Sequence, residues 1–404
     1  MAVFATLQVL KSQTRRYTPA SLIATVILLI LYLCHGQSYF RVYSSSRSLG
    51  VEDNIYVISL RNRHRRREDM EKLRLSLGLT WTYVDALDAD SLLVSHIMHW
   101  VKALREGPPY ILNESNTTRV DSRLLPDSIS FTWPEDIETL AKSRDKLDLW
   151  STGVWPSPTT SSVLKPPSSL PITCATENYS LTEYATSLKE HLILTYPRVA
   201  CWHSHLSVIH DIANNALLPS GVTIILEDDV DMEKDIQKQL AYLWPTLPAD
   251  WDIVFLGSFF FSSSSPFQTL CDLGHCWSDE AGNGLVSPQI PIGHTTNIKS
   301  SFNHSRLYIA RKPKCTHAYA LSRTGARRLL LHLRYPPFAY SRAIDQAISW
   351  LVESGRLKGF SIVPSLVIQR KVTESDVTPG KGAGSQWKDG LTEGVFDDSR
   401  SQFV

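Results

Sequence analysis

The chain of 404 residues is 43% hydrophobic and 20% charged, enough apolar content for one large domain or two modest ones and too much for a disordered chain. Its 41 Lys and Arg against 40 Asp and Glu leave a formal charge of +1. No global field therefore draws it to nucleic acid or to an acidic polymer, and recognition has to be local.

Residues 17–40 contain no Lys, Arg, Asp or Glu, and 22–33 are almost wholly Leu, Ile, Val and Ala. Roughly 20 apolar residues suffice to cross a bilayer, so this stretch is expected to be a transmembrane helix. Lys11, Arg15 and Arg16 before it keep the short 1–16 tail in the cytosol. The competing reading is a cleaved signal peptide, with small residues near position 36, but the apolar run is long for one. Either way the remainder enters the secretory pathway. Four Asn-x-Ser/Thr sequons, at Asn113, Asn116, Asn178 and Asn303, agree with a lumenal domain. Five cysteines follow Cys34, so at least one lumenal thiol is unpaired. The expected organisation is tail 1–16, anchor 17–40, stem 41–52, lumenal domain 53–375 and flexible tail 376–404.

Along the lumenal part, 55–60 is an apolar run suited to a buried strand. A basic helix follows, with Met70, Leu73 and Leu77 on its buried face and Gly78 as its stop, and then a strand over 81–84 that ends in Asp85. Strand, helix, strand within about 30 residues makes a βαβ unit. Residues from about 91 to 190 are rich in Ser, Thr, Pro and Trp and read as an insertion, helical near 91–105 and otherwise loop. From Pro197, the spacing of Trp202, Leu206, Ile209, Ala213 and Ala216 predicts an amphipathic helix.

A strand over 222–226 stops at Glu227-Asp228-Asp229, and 251–257 is another strand. A second insertion at about 258–314 is Ser/Gly/Pro-rich and expected to be loop from 262 on. A strand at 316–321, helices at about 324–333 and 341–353, and a strand at 360–363 complete the domain before a tail expected to be mobile after about 374. Alternating strands and helices predict an α/β fold with a mainly parallel sheet, whose ligands sit beyond the carboxyl ends of the strands.

Glu227-Asp228-Asp229 sits where such a ligand would lie. Three consecutive carboxylates repel one another and cannot sit inside a core. They become useful when a hard dication such as Mn²⁺ or Mg²⁺ lies between them and a diphosphate. In sugar transfer the leaving group is a nucleoside diphosphate, and the ion offsets the charge that develops on it. The plainer alternative is a solvated acidic turn, with Asp231 and Glu233 favourable at a following helix N-terminus.

Three blocks of sequence bear on the choice. They are Tyr56-Val57-Ile58-Ser59-Leu60 with Arg63, Arg66, Arg67 and Asp85-Ala86-Leu87-Asp88; then Cys201-Trp202-His203-Ser204-His205-Leu206 with Ile225 to Val230 and Trp251-Asp252-Ile253-Val254; then Ala318 to Ser322 with Gly325-Ala326, Asp345-Gln346 and Pro364. In this order they resemble glycosyltransferase family 25, which contains bacterial lipooligosaccharide and collagen galactosyltransferases. The match covers roughly half the lumenal chain.

The resemblance implies a GT-A-like nucleotide-sugar-binding fold, inverting chemistry, and a metal at the acidic motif, with Glu227 and Asp229 as its ligands. It implies Ser59, Arg66, Ser204, His205 and Asp228 at the donor, with Ser204 and His205 acting directly or through further hydrogen bonds. Asp345 is implied as the base. Ser59 stands where the family usually has Asn, and Arg61 where an acid is common. His203 and His205, two apart on a helix, point away from each other and cannot share an ion, so His203 is expected to be structural, as is the Cys201 thiol. Asp252 is either structural or part of the donor pocket.

The partners so implied are a nucleotide sugar, galactose from its uridine-diphosphate donor, and a glycan or glycoprotein acceptor in the Golgi or endoplasmic reticulum lumen, the protein being held to the membrane by one helix. The alternatives are an inactive glycosyltransferase-like adhesion or carbohydrate-binding protein, and a hydrolase with paired carboxylates.

Overall fold

Short runs rich in β-branched and aromatic residues make the strands. The computed structural model describes residues 48–106, 133–150, 170–176, 184–215, 221–257, 305–370, 377 and 390–396. Strand β1 (Asn54–Ser59) leads into helix α1 (His64–Leu77), which buries Met70 and Leu73 and stops at Gly78. Gly78 takes the left-handed conformation at φ 63°, its N–H bonds Leu75 O, and Leu79 N–H bonds Arg74 O. This is a Schellman termination, which favours a residue without Cβ. Strand β2 (Thr82–Asp85) then returns parallel to β1, completing the expected βαβ unit.

Seven strands form one mixed sheet in the order β2-β1-β3-β7-β5-β8-β6, with β3 at Val222–Glu227, β5 at Ile253–Phe255, β6 at Arg306–Ile309, β7 at Ala318–Ser322 and β8 at Gly359–Val363. Strands β2, β1, β3, β5 and β8 run one way; β7 and β6 are reversed. The sheet is thus mostly parallel in direction, but a reversed strand separates β3 from β5. A second sheet of two antiparallel strands, β4 (Val230–Met232) and β9 (Val367–Gln369), projects from the end of β3.

Helices cover both faces. On one side the central helix α4 (Tyr196–Asn214) packs with α2 (Leu92–Glu106), α6 (Arg323–Leu333) and α7 (Ile344–Glu353) over Ile225, Tyr319 and Leu321. On the other, α1 and α5 (Ile236–Leu243) cover Ile224, Leu226, Val254 and Ala320. The alternation along β3 and β7 divides the two cores. Each fully buried Leu or Ile in these layers contributes about 1.5–3 kcal/mol relative to exposure. Helix α4 buries Trp202, Leu206, Ile209 and Ala213 as the spacing predicts, but also Val199, His203, His205, Val208 and Ile212. It is enclosed by helices on several sides, so its burial exceeds one stripe.

Three expectations are corrected. The 91–190 region is not a helix followed by loop: its described parts include a second helix, α3 (Ile137–Lys142), and bury Trp100, Ile137, Ala141, Leu147 and Cys174 in the α4 core. The region read as loop after 262 contains β6, an edge strand of four residues, too short to stand out from its polar flanks. The described part of the tail is not a contact-free segment, because 393–395 lie antiparallel beside Met232–Lys234. Among the described residues no helix is long and apolar enough to cross a membrane. The 17–40 anchor, all four sequons, Cys271 and Cys276 lie outside the described residues.

Helix α6 starts tightly against β5. Ser322 caps it by accepting from Gly325 N at 2.9 Å while donating to Trp251 O at 2.8 Å. A Cβ on Gly325 would lie 2.1 Å from Asp252 O and 2.5 Å from its Cα. Gly325→Ala is expected to cost about 1–3 kcal/mol through overpacking against rigid backbone. Urea unfolding measures this, and an unchanged midpoint contradicts the packing described.

Candidate functional site

From β1 the chain runs through α1 to β2 at one edge of the sheet; from β3 it runs through β4 and α5 to β5, in the opposite direction along the strand order. The carboxyl ends of β1 and β3 are neighbours, Ile58 lying opposite Glu227 in parallel register. Their junction is the switch point at which open α/β sheets leave a ligand crevice. The chain puts Glu227-Asp228-Asp229 there, at the end of β3 and in the turn before β4.

The three carboxylates take different surroundings. Asp228, buried at 7% exposure, accepts from Ser59 Oγ at 2.7 Å and from Arg66 Nη1 at 3.0 Å. Ser59 is in turn held by Arg67, whose Nε donates to Ser59 Oγ at 3.1 Å and whose Nη2 donates to Ser59 O at 2.9 Å and Asp85 at 2.7 Å. Arg67 therefore fastens β1 to β2, and Arg66 is the arginine of this turn that reaches the acids.

Asp229 accepts from Gln369 Nε2 at 3.1 and 3.3 Å and lies 3.9 Å from Arg66 Nη1. Burial, then the charge of Glu227, push its carboxyl up to about 7; Arg66 opposes the shift and Asp228 adds to it. One guanidinium does not balance three acids here.

Glu227 faces the α4 side. Its Oε1 accepts from Thr316 Oγ1 at 2.7 Å and lies 3.5 Å from His205 Nε2. Burial alone pushes this carboxyl up, but the His205 and Thr316 contacts and the charge of His317 outweigh it and hold the group below its ordinary value. His205 Nδ1 is 2.9 Å from Tyr319 Oη, and burial holds that phenol protonated. The Tyr319 hydroxyl can thus donate to Nδ1 and leave Nε2–H facing Glu227. Asp345, at the start of α7, joins the same electrostatic group: burial and then the Glu227 charge raise it, against backbone N–H groups of Gln346 and Cys315. Cys201 is a free thiol kept protonated by burial and by the charges of Glu227 and Asp345.

Beside Asp228 and Asp229 opens a small cleft whose charged walls are Arg65, Arg66, Asp69 and Arg370. Gln369 and Arg370 come from the end of β9, Thr316 from just before β7. The sequence reading missed all three, since each reaches the acids only through antiparallel pairing with a segment more than 80 residues away. The plainer alternative of a solvated turn does not hold for Asp231 and Glu233, which are buried at 5% and 4% exposure.

Among the described residues no group of three or more His, Cys, Asp and Glu has the geometry to hold a metal ion. The donors available are two mutually repelling carboxylates, Glu227 and Asp229. That fits an Mg²⁺- or Mn²⁺-type ion, which takes hard oxygen ligands and commonly one or two carboxylates plus substrate phosphates.

Other expected site residues are engaged internally. Ser204 Oγ donates to Ala200 O and accepts from Leu87 N, both at 2.8 Å, tying α4 to the segment after β2. His203 bonds Tyr340 Oη at 3.0 Å, stacks on Trp150, and is lowered by burial to about 4. Asp252 is buried, bonds Arg328, and accepts from Lys358 N at 2.8 Å, away from the cleft. No family model matches the chain, and no curated protein matches its sequence.

The raised Asp229 carboxyl makes stability pH-dependent with a defined sign. Between about 4 and 7 the folded state holds a proton that the unfolded state has released, so stability falls as pH rises through this window. In chelator, Asp229→Asn is expected to be more stable than the parent at pH 8, on the order of 1–3 kcal/mol, with the gain vanishing near pH 4. Urea titrations across that range measure it; a gain that persists at pH 4 rules out the electrostatic origin.

Proposed function

We propose that this chain is a metal-dependent, inverting glycosyltransferase of GT-A-like fold that moves a hexose, galactose from UDP-galactose, to a hydroxyl of a glycan or glycoprotein. Its site of action is the lumen of the Golgi or endoplasmic reticulum. The reading is carried by one observation: Asp228 and Asp229 line an arginine-walled cleft at the β1–β3 switch point, with Glu227 beside them on the α4 side, and Arg66 under-compensates the group. The family resemblance of the three sequence blocks supplies the sugar, the donor and the compartment.

In this mechanism Glu227 and Asp229 would hold the metal ion, which when bound would supply positive charge against that developing on the departing diphosphate. Arg66 reaches the phosphate oxygens from the cleft wall, a geometry suited to its planar fork. Ser59 and Asp228 fix the position of Arg66 through hydrogen bonds already made. His205, backed by Tyr319, holds Glu227 in place and ionised. Asp345 takes the proton of the acceptor hydroxyl as that oxygen attacks the anomeric carbon and the bond to the diphosphate breaks. Its raised carboxyl brings it nearer to neutral pH, where a general base works best.

Purified protein given Mn²⁺ and a panel of nucleotide sugars is expected to release uridine diphosphate. Chelator abolishes the release, and Asp229→Ala lowers it by about a hundredfold or more. Unchanged turnover in Asp229→Ala removes the metal assignment. Asp345→Asn is expected to retain donor binding by calorimetry while acceptor-dependent transfer drops by about 10²–10⁴-fold; equal loss of binding and transfer places Asp345 at the donor instead.

A further inference from the structure

The polar tail carries a feature that the proposed mechanism does not use. Residues 392–395 run antiparallel beside β4: Lys234 N donates to Glu393 O at 3.0 Å, Val395 N to Met232 O at 3.1 Å, and Gly394 bridges Glu233. The tail segment thus makes one antiparallel bridge just beyond the end of β4. Two buried acids grip it. Glu233 accepts from the backbone N–H groups of Thr392 and, at 2.9 Å, Glu393; Asp231 accepts from Val395 N at 3.1 Å and Phe396 N at 3.2 Å. A buried carboxylate is costly without such donors. Apart from the N–H of Met232, the described donors to Asp231 and Glu233 all come from this segment, so the β4 segment and the tail stabilise each other.

The seated tail reaches the cleft through one contact. The Phe396 ring lies 3.7 Å from the Arg370 guanidinium carbon, and Arg370 Nη1 is 3.3 Å from Asp69 Oδ2 on the opposite wall. The Arg370 backbone N–H also bonds Asp229 O at 2.7 Å. A long side chain with many rotamers is thereby fixed between an aromatic face and a carboxylate at the edge of the cleft.

We infer that residues 390–396 form a strap that positions Arg370 to bind a diphosphate at the acidic cleft, with Asp231 and Glu233 as its anchors and Phe396 as the contact that orients the guanidinium. The inference rests on the proposed function for the identity of the anion. It makes the tail part of the binding site, and it assigns Phe396 and Arg370 as positioning and ligand-binding residues respectively.

The test uses the full chain, with calorimetric binding of inorganic pyrophosphate in Mn²⁺ and hydrogen exchange at the Val395 and Phe396 amides. Gly394→Val attacks the strap from the tail side, because even a Cβ there would lie 2.7 Å from Asp231 Oδ2. It is expected to speed exchange at both amides and to weaken pyrophosphate binding by about three- to tenfold. Phe396→Ala weakens binding similarly and keeps the test open should the valine variant fail to fold. Phe396→Tyr, which keeps the ring, restores binding. In an Arg370→Ala background neither tail substitution weakens binding further, since the strap acts through that residue. Parent-like pyrophosphate binding with the tail released, or losses that add fully to that of Arg370→Ala, overturns the strap while leaving the proposed function standing. Failure of the parent protein itself to bind pyrophosphate overturns both.

Discussion

Mutual repulsion among three consecutive carboxylates is the constraint around which this part of the molecule is organised. A strand can place such residues only at its open end. Here each acid is then drawn to a different wall: Glu227 to His205 and Thr316, Asp228 to Ser59 and Arg66, Asp229 to Gln369. The arrangement leaves excess negative charge in a poorly hydrated place. A purely structural acidic turn would shed that charge into solvent, whereas here Asp229 is only 12% exposed. The unbalanced field makes a divalent ion and an anionic ligand a coherent pair of partners for the cleft.

Holding the acids in this way requires precise neighbours. The reversed strand β7 carries Thr316 and His317 to Glu227, and Glu227 N–H bonds His317 O at 2.9 Å, so a mixed sheet does what a fully parallel one could not. The small β4–β9 sheet performs the same service for Asp229, delivering Gln369 and Arg370 beside it. On the far side Arg67 closes β1 onto β2 through Ser59 and Asp85, so that Arg66, one residue earlier, is free to face Asp228. Consecutive arginines on one helix thus take separate tasks. The basic first turn of α1, unfavourable for the helix dipole, is offset by carboxylates contributed from β2 and from the β3 turn.

Burial sets the chemistry of the second group of residues. Tyr319, His205 and Glu227 form a hydrogen-bonded line from the core to the cleft, and Asp345 faces the same charge from the start of α7. Asp252 and Arg328 form a separate buried pair that joins β5 to α6, and the exposed Glu138 extends it to α3. Both networks contain acids of similar sequence context, yet only the first lies at the carboxyl ends of β1 and β3.

The sequence by itself determined the elements with strong local signals: β1, α1 with its stop at Gly78, α4 from Pro197, β3 ending in acid, and the α/β class that follows from their alternation. It also determined that Glu227, Asp228 and Asp229 lie at a strand's open end, because no core accepts three adjacent charges. Tertiary contacts alone set which acids face which partners, that Ser204 ties α4 to the segment after β2 while Asp252 pairs with Arg328, and that Asp231, Glu233, Gln369, Arg370 and Phe396 belong to one assembly. Local periodicity reports burial along a single segment, whereas these contacts are made by antiparallel pairing between segments distant in the chain. Their register depends on side chains and backbone hydrogen bonds that no short window of sequence contains.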